Sequence, residues 1–277
     1  MQGIHYREHR PPPDLADRVE CIWTSRSLGP LTAATPNRVL PDGCVDVILN
    51  LGDAPLPGRS THPRPRSYVV GAMLRPVTVR LAGAVDLVGI RFRPGGAAAF
   101  LPFPLAEATD RVVALPDAWG AFAGELESRA FEAHGRERVQ VLEDALRRRT
   151  RAGAAVHPAV ARASALIAGS HGAVTVRRLA EASGVSGRHL ERLFAEQVGL
   201  TPKAASRVAR FRRLCGAIRA HTEGPESAWT SLALECGYHD QAHMIRDFRE
   251  FAGLTPEAYR RERAGVASVQ YAAPAAT

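Results

Sequence analysis

The sequence predicts an α+β protein: a β-rich, barrel-like first domain with flanking helices, then an all-α domain of two helix-turn-helix subdomains joined by a long helix. Three observations predict it. Apolar residues alternate with period two in the first half, most clearly at Val77, Val79 and Leu81 and at Val88, Ile90 and Phe92. From His157 to about Arg263 the pattern is helical, broken at Gly172, Gly184, Gly199, Gly224, Gly237 and Gly253. Within that block one segment occurs twice. With 277 residues, 45% hydrophobic and 23% charged, the chain is long enough for two cores and too apolar for extended disorder.

The elements follow in order. CVDVILNL (44–51), SYVVGAM (67–73), VTVRL (77–81) and VDLVGIRF (85–92) read as strands, with Trp23 and Phe92 as core residues. DAPLPGRSTHPRPR (53–66) is proline-rich and reads as a surface loop. Gly95-Gly96 introduces AAAFL, and residues 117–149 read as helical, ending in Arg147-Arg148-Arg149. That run is expected to be a solvated helix end rather than a nucleic-acid contact. RAGAAVHP (151–158) then reads as the connection between domains. The expected division is therefore 1–150 for a β-rich effector-binding or dimerisation domain with C-terminal helices, 157–263 for the helical domain, and 264–277 for a frayed tail.

Charge narrows the function classes. There are 36 Lys plus Arg against 28 Asp plus Glu, a formal charge of +8, and the excess is denser in the helical last third. That balance points to a polyanionic partner, although basic proteins can be merely soluble. Lys203 is the sole lysine, a bias that reads as coding composition more than as selection for the guanidinium fork. Cys21, Cys44, Cys215 and Cys236 show no CxxC or CxxH spacing and read as ordinary thiols of a reducing compartment. No window approaches eighteen apolar residues and MQGIHYREHRPPP has no apolar signal core, so a soluble, cytoplasmic, nucleoid-associated protein is expected.

The repeat carries the argument furthest. FAEQVGLTPKAA (194–205) and FREFAGLTPEAY (248–259) align without gaps, Phe194 on Phe248 and Gly199 on Gly253. In each, Gly is placed to end a helix, Thr to cap the next, and Pro to fill its first turn. Upstream in the first copy, Leu179 and Ala180 lie on one helix, Gly184 permits a turn, Ser186 can cap, and Leu190, Leu193, Phe194 and Val198 form a buried stripe. The second copy supplies Ala233, Gly237, Asp240 as cap, and Met244 and Phe248 inward, with a turn one residue longer. Two amphipathic hairpins used only for packing would repeat neither caps nor turn so closely.

On these residues, above all ECGYHDQAHMIRDFREFAGLTPEAYRR, residues 157–263 resemble the DNA-binding domain of the AraC/XylS family of bacterial transcriptional regulators. The resemblance implies two subdomains on one connecting helix, placing recognition helices in successive major-groove segments. The helix from Pro202 to about Ala220 would be that connector, about 28 Å long at about 1.5 Å per residue, against roughly 34 Å per turn of duplex. Opposite the apolar stripe, the first recognition helix presents Arg188, Glu191 and Arg192, and the second presents Gln241, Ala242, His243, Ile245 and Arg246. Arginine forks onto guanine, glutamine onto adenine, and glutamate accepts from cytosine. The family's base-contacting positions fall on Arg188, Glu191, Arg192, Gln241, Ala242 and Arg246; Ala242 departs from a hydrogen-bonding residue and offers a thymine methyl at most an apolar contact. Phosphate contacts are expected from Ser186, Arg178, His189, Lys203, His239 and the Thr201 region, while Arg212 and Arg213 on the connector read as solvated or paired.

Through RVLPDGCVDVILNLGD (38–53), VVGAMLRP (69–76) and VGIRFRPGGAAAFL (88–101), the first domain resembles an N-terminal domain that precedes AraC-type units. Such domains are expected to bind a small-molecule effector, to dimerise, or both, and the regulator as a whole to meet RNA polymerase. Asp42, Cys44 and Asp46 either rim a pocket or shape the Pro41-Asp42-Gly43 turn. An enzyme is not expected, and no cofactor or metal motif is present. Cys44 beside Asp42 as nucleophile, or Cys21 and Cys44 with His5 and His9 as a metal site like that of helix-turn-helix DNA-repair methyltransferases, lacks a fixed histidine or a four-ligand cluster. A ligand-independent architectural DNA-binding protein is the remaining alternative.

Overall fold

The computed structural model describes residues 3–53, 66–150, 155–220 and 228–264. The proline-rich stretch expected at 53–66, the start of the linker expected at 151–158 and the expected tail lie outside them, apart from positions at their ends.

Eight strands build the first domain: β1 (Ile4–His9), β2 (Val19–Ser27), β3 (Leu31–Val39), β4 (Val45–Asn50), β5 (Ser67–Val70), β6 (Val77–Gly83), β7 (Asp86–Phe92) and β8 (Val112–Ala114). Six form an antiparallel sheet in the order β1-β2-β7-β4-β5-β8, and β3 pairs with β6 as a separate two-stranded ribbon. The four runs read from the sequence are β4, β5, β6 and β7. The others carry weaker apolar patterns: IHYREH and LTAATPNRV hold few large apolar side chains.

Because side chains alternate across a strand, the six-stranded sheet has two unlike faces. Ile22, Val47, Leu49, Val69, Ile90 and Phe92 enter one apolar core. That core is covered by α1 (Leu115–Trp119), α2 (Phe122–Glu132) and α3 (Gly135–Arg149), whose Trp119, Leu126 and Leu142 are buried against it. The opposite face carries Trp23, Asp46, Tyr68 and Arg91 toward the β3-β6 ribbon, and a cavity remains between them. Register sets two close relationships there. Asp46 lies directly opposite Arg91, and Trp23 directly opposite Gly89. A Cβ on Gly89 would come within 2.3 Å of the Trp23 ring, so only glycine leaves room for the indole.

The three arginines that end α3 are engaged within the domain. Arg147 pairs with Asp14 at 2.8 Å, Arg148 lies 4.5 Å over the Phe122 ring, and Arg149 5.7 Å over Trp119. Arg147 and Arg148 are nevertheless exposed, as expected of a solvated helix end, and Arg149 is half-buried.

The last third is helical: α4 (Pro158–Gly169), α5 (Val176–Ser183), α6 (Gly187–Gln197), α7 (Pro202–Ala220), α8 (Ala228–Glu235), α9 (Gln241–Ala252) and α10 (Pro256–Ala264). Leu179, Leu190 and Phe194 join the sheet's apolar core, whereas Phe211, Met244, Phe248 and Phe251 form a second core that takes in Leu40 from the first domain. The first domain therefore touches both helical halves.

Candidate nucleic-acid interface and ligand cavity

Each helix boundary in the last third has a local chemical cause. The Thr175 hydroxyl accepts from the Arg178 amide to start α5, and Gly184 ends it in the left-handed region at φ 68°. Ser186 then accepts from the His189 amide at 3.2 Å to start α6. In the second unit Gly237 turns the chain and the Asp240 carboxylate accepts from the His243 amide at 2.7 Å to start α9. That amide, followed by His239, holds the Asp240 carboxyl below the usual carboxylate range. The expected extra turn residue is present, because the cap follows Gly184 by two positions but Gly237 by three. Thr201 and Thr255 cap α7 and α10 in the same manner, accepting from Ala204 and Ala258 at 3.1 Å.

Burial then sorts the faces of α6 and α9. Leu190, Leu193 and Phe194 are buried on α6, and Met244, Phe248 and Phe251 on α9. Arg188, Glu191 and Arg192 are exposed on α6, as are Ala242 and Arg246 on α9, and Gln241 is half-buried. Arg192 pairs only loosely with Glu196, at 3.9 Å with 65% of its own side chain exposed, so little holds it away from a ligand. The Thr230 hydroxyl donates to Gln241 Oε1 at 3.1 Å, which fixes the amide plane. Ser186, Lys203 and His239 are exposed and His189 half-buried; Arg178 is exposed.

The connector α7 is knitted to both units by its own arginines. Arg207 pairs with the buried Asp247 of α9 at 2.8 Å and lies 4.9 Å over the Phe251 ring. Arg210 donates to the Gly172 carbonyl at 2.8 Å, between α4 and α5. Sequence reading did not single out Arg207 or Arg210. A basic residue on an amphipathic helix reads as surface until its partner's position is known.

In the first domain, Asp42, Cys44 and Asp46 line the cavity, which has a volume of about 160 Å3. All three are also buried, and Asp42 shapes the turn as well, since its Oδ1 accepts from the Cys44 amide at 2.9 Å. Asp42 and Cys44 thus belong to the turn and the cavity wall together, while Asp46 lies on β4. Arg91 reaches Asp42 at 3.5 Å and Asp46 at 3.4 Å, and the Trp23 indole donates to Asp46 Oδ1 at 2.9 Å. Burial pushes the Asp46 carboxyl up to about 6, even though Arg91 pulls the other way. Burial also raises Cys44 well above an ordinary thiol, with Asp42 and Glu20 adding to the effect, so it is held protonated. Trp23 is a core residue as expected, yet its ring also forms cavity wall.

Residues 179–262 match the family described as a helix-turn-helix domain, and residues 7–114 match a domain of unknown function, DUF6597. The last third is an AraC-type helix-turn-helix domain. Over 99 residues the chain is 36% identical to the bifunctional transcriptional activator/DNA repair enzyme Ada of Escherichia coli (strain K12), a stretch covering 36% of this chain and 26% of that protein. The chain thus matches about a quarter of the length of that relative. Among solved structures, an AraC-type transcriptional regulator from Chromobacterium violaceum is 25% identical, with 40% of this chain and 96% of that chain covered at a TM-score of 0.35. Unsaturated fatty acid-bound ToxT from Vibrio cholerae is 10% identical, with 89% and 97% covered at a TM-score of 0.45.

Besides the shared apolar cores, side-chain hydrogen bonds tie the AraC-type domain to the first domain. Arg38 of β3 donates to the Ala252 carbonyl at 2.8 Å and pairs with Glu262 at 3.3 Å. Arg212 of α7 is exposed and donates to the Asp42 carbonyl at 3.3 Å. The Thr109 hydroxyl donates to the Gly199 carbonyl at the end of α6. Asn37, Val39, Asp42 and Asp110 line the cavity, so each tie starts at or beside a cavity wall.

Among the described residues no cluster of three metal-ligating side chains occurs, and no helix is long and apolar enough to cross a membrane.

Proposed function

We propose that the chain is a sequence-specific transcriptional regulator in which α6 and α9 read adjacent major-groove segments of duplex DNA. One observation carries the reading. Two recognition helices, each capped at its start and apolar on its inner face, are fixed to one connector and leave Arg192 and Arg246 exposed on their outer faces. Arg188, Glu191 and Arg192 read one segment, and Gln241, Ala242 and Arg246 the next; Ser186, His189, Lys203 and His239 serve the phosphates. The domain division is 1–150 for sensing and 157–263 for DNA.

The cavity at Asp42, Cys44 and Asp46 is proposed to hold a small-molecule effector, whose occupancy reaches DNA through the ties at Arg38, Arg212 and Thr109. Self-association through the first domain and contact with RNA polymerase complete the proposal. Sequencing of genomic fragments that co-purify with the protein tests it. A recurrent site with two half-sites about one helical turn apart supports the reading, and fragments without a shared sequence overturn it.

The name of the Escherichia coli relative includes DNA repair, and the sequence alternative of that class is an alkyl-accepting thiol at Cys44. Cys44 does not favour it, since its thiol is buried and held protonated. Incubation with alkylated DNA followed by intact-mass measurement decides between them: a mass increase lost in Cys44→Ala would support repair.

A further inference from the structure

Building on the effector reading, we infer that the cavity's ligand is a small amine: an apolar body of roughly benzene size carrying one ammonium group that meets Asp46.

Size and lining set the body. A cavity of about 160 Å3 is close to the roughly 150 Å3 that accommodates benzene in an engineered apolar site. Its walls are mainly aliphatic, with Ile48, Val70, Val79 and Leu87 contributing, so a hydrocarbon body loses water on entry with little polar penalty.

Charge sets the head. Three carboxylates line the cavity, at Asp42, Asp46 and Asp110, against two guanidinium groups, at Arg91 and Arg111. Asp110 is committed, since its Oδ1 accepts from the Leu74 and Arg75 amides at 2.6 and 3.2 Å. Deeper in, Arg91 is shared between Asp42 and Asp46, so two buried carboxylates face one cation. The two buried carboxylates share that guanidinium in a desolvated place, an arrangement that an added cation stabilises. An anionic head would instead compete with both aspartates for Arg91 and be repelled by them. Trp23 and Tyr6, with ring centroids 6.0 Å apart, place two aromatic rings on the same wall, and an ammonium is attracted to ring faces as well. The contacts described for Asp46 both fall on Oδ1, and Oδ2 is the acceptor assigned to the ammonium. Burial, with Asp42 beside it, holds the Asp46 carboxyl up to about 6 against the pull of Arg91 and Trp23, and a bound ammonium would bring it down.

The test is calorimetric titration of the full chain at pH 7.5 with three probes of matched size: 2-phenylethylamine, 2-phenylethanol and phenylacetate. The amine is expected to bind at least about tenfold more tightly than either other probe, the scale of one charge-assisted hydrogen bond. In Asp46→Asn, which keeps the side chain's shape, the amine is expected to lose that advantage while the alcohol is unaffected. Equal or tighter binding of the alcohol or the acid in the wild-type chain overturns the amine assignment and leaves the effector reading standing. No binding by any probe overturns the assignment as well. If filling the cavity with Val79→Trp then leaves DNA affinity unchanged, the effector reading falls with it.

Discussion

Arg38 on the β3-β6 ribbon donates a 2.8 Å hydrogen bond to the carbonyl of Ala252, the last residue of α9. The bond satisfies one of the carbonyls that a helix C-terminus leaves open, and the guanidinium charge suits that end of the helix dipole. Its neighbours Asn37 and Val39 form cavity wall, so one strand touches both the cavity and a recognition helix. Arg38→Ala is expected to speed amide hydrogen exchange in α9 and α10 while leaving α5 and α6 unchanged. Uniform exchange across both units would show that the bond anchors nothing.

Arg192→Ala and Arg246→Ala are each expected to weaken specific DNA binding by about 1–3 kcal/mol and to relax base preference, each in a different half-site. Folding stability should move by less than about 0.5 kcal/mol, because both side chains are exposed and Arg192 has only a loose partner. Gel-shift titrations on half-site variants check the first part and urea melts the second. Unchanged affinity in both variants would remove these two residues from the interface.

Arg207→Ala should behave in the opposite way. Asp247 has 6% of its side chain exposed and would be left a buried carboxylate without its guanidinium. A loss of about 2 kcal/mol in stability is expected, concentrated in the second unit. Arg207→Lys should recover part of it, since an ammonium restores charge but not the fork that also reaches Glu250. Thermal melts of the two variants distinguish loss of charge from loss of geometry.

Asp46 makes stability depend on pH in a defined direction. Its folded value of about 6 lies above the ordinary 3.8, so the folded chain holds this proton more tightly than the unfolded chain. Its contribution is therefore complete below about pH 4 and is lost as pH rises through about 6. Burial sets that value first; Arg91 and the Trp23 indole lower it and Asp42 raises it, while Cys44 lines the same cavity. Relative to Asp46→Asn, the wild-type chain is expected to lose melting temperature between pH 4 and pH 6 and to stay level above. A flat difference over that range would mean that Arg91 fully compensates the carboxylate.

The AraC-type domain was legible from residue order because its determinants are local. A cap acts on an amide three positions on, a glycine on its own φ, and an apolar stripe on one helix face, so Ser186, Gly184 and the Leu190–Phe194 stripe state their roles in sequence. Strands β6 and β7 showed themselves through alternation for the same reason, and β4 and β5 as short apolar runs. Alternation alone assigns Arg91 and Asp46 to the face opposite Ile90 and Val47, and residue order leaves open whether Asp46 rims a pocket or shapes a turn. Only the tertiary structure lays the β3-β6 ribbon over that face and turns it into a cavity wall, because the pairing joins residues far apart in the chain. The same holds for Arg38, Arg207 and Arg212, whose partners come from other elements and leave no trace in residue spacing. What the sequence determined was thus everything set within a few residues of the chain, and what the fold decided was which charged side chains lose their water and to whom they turn.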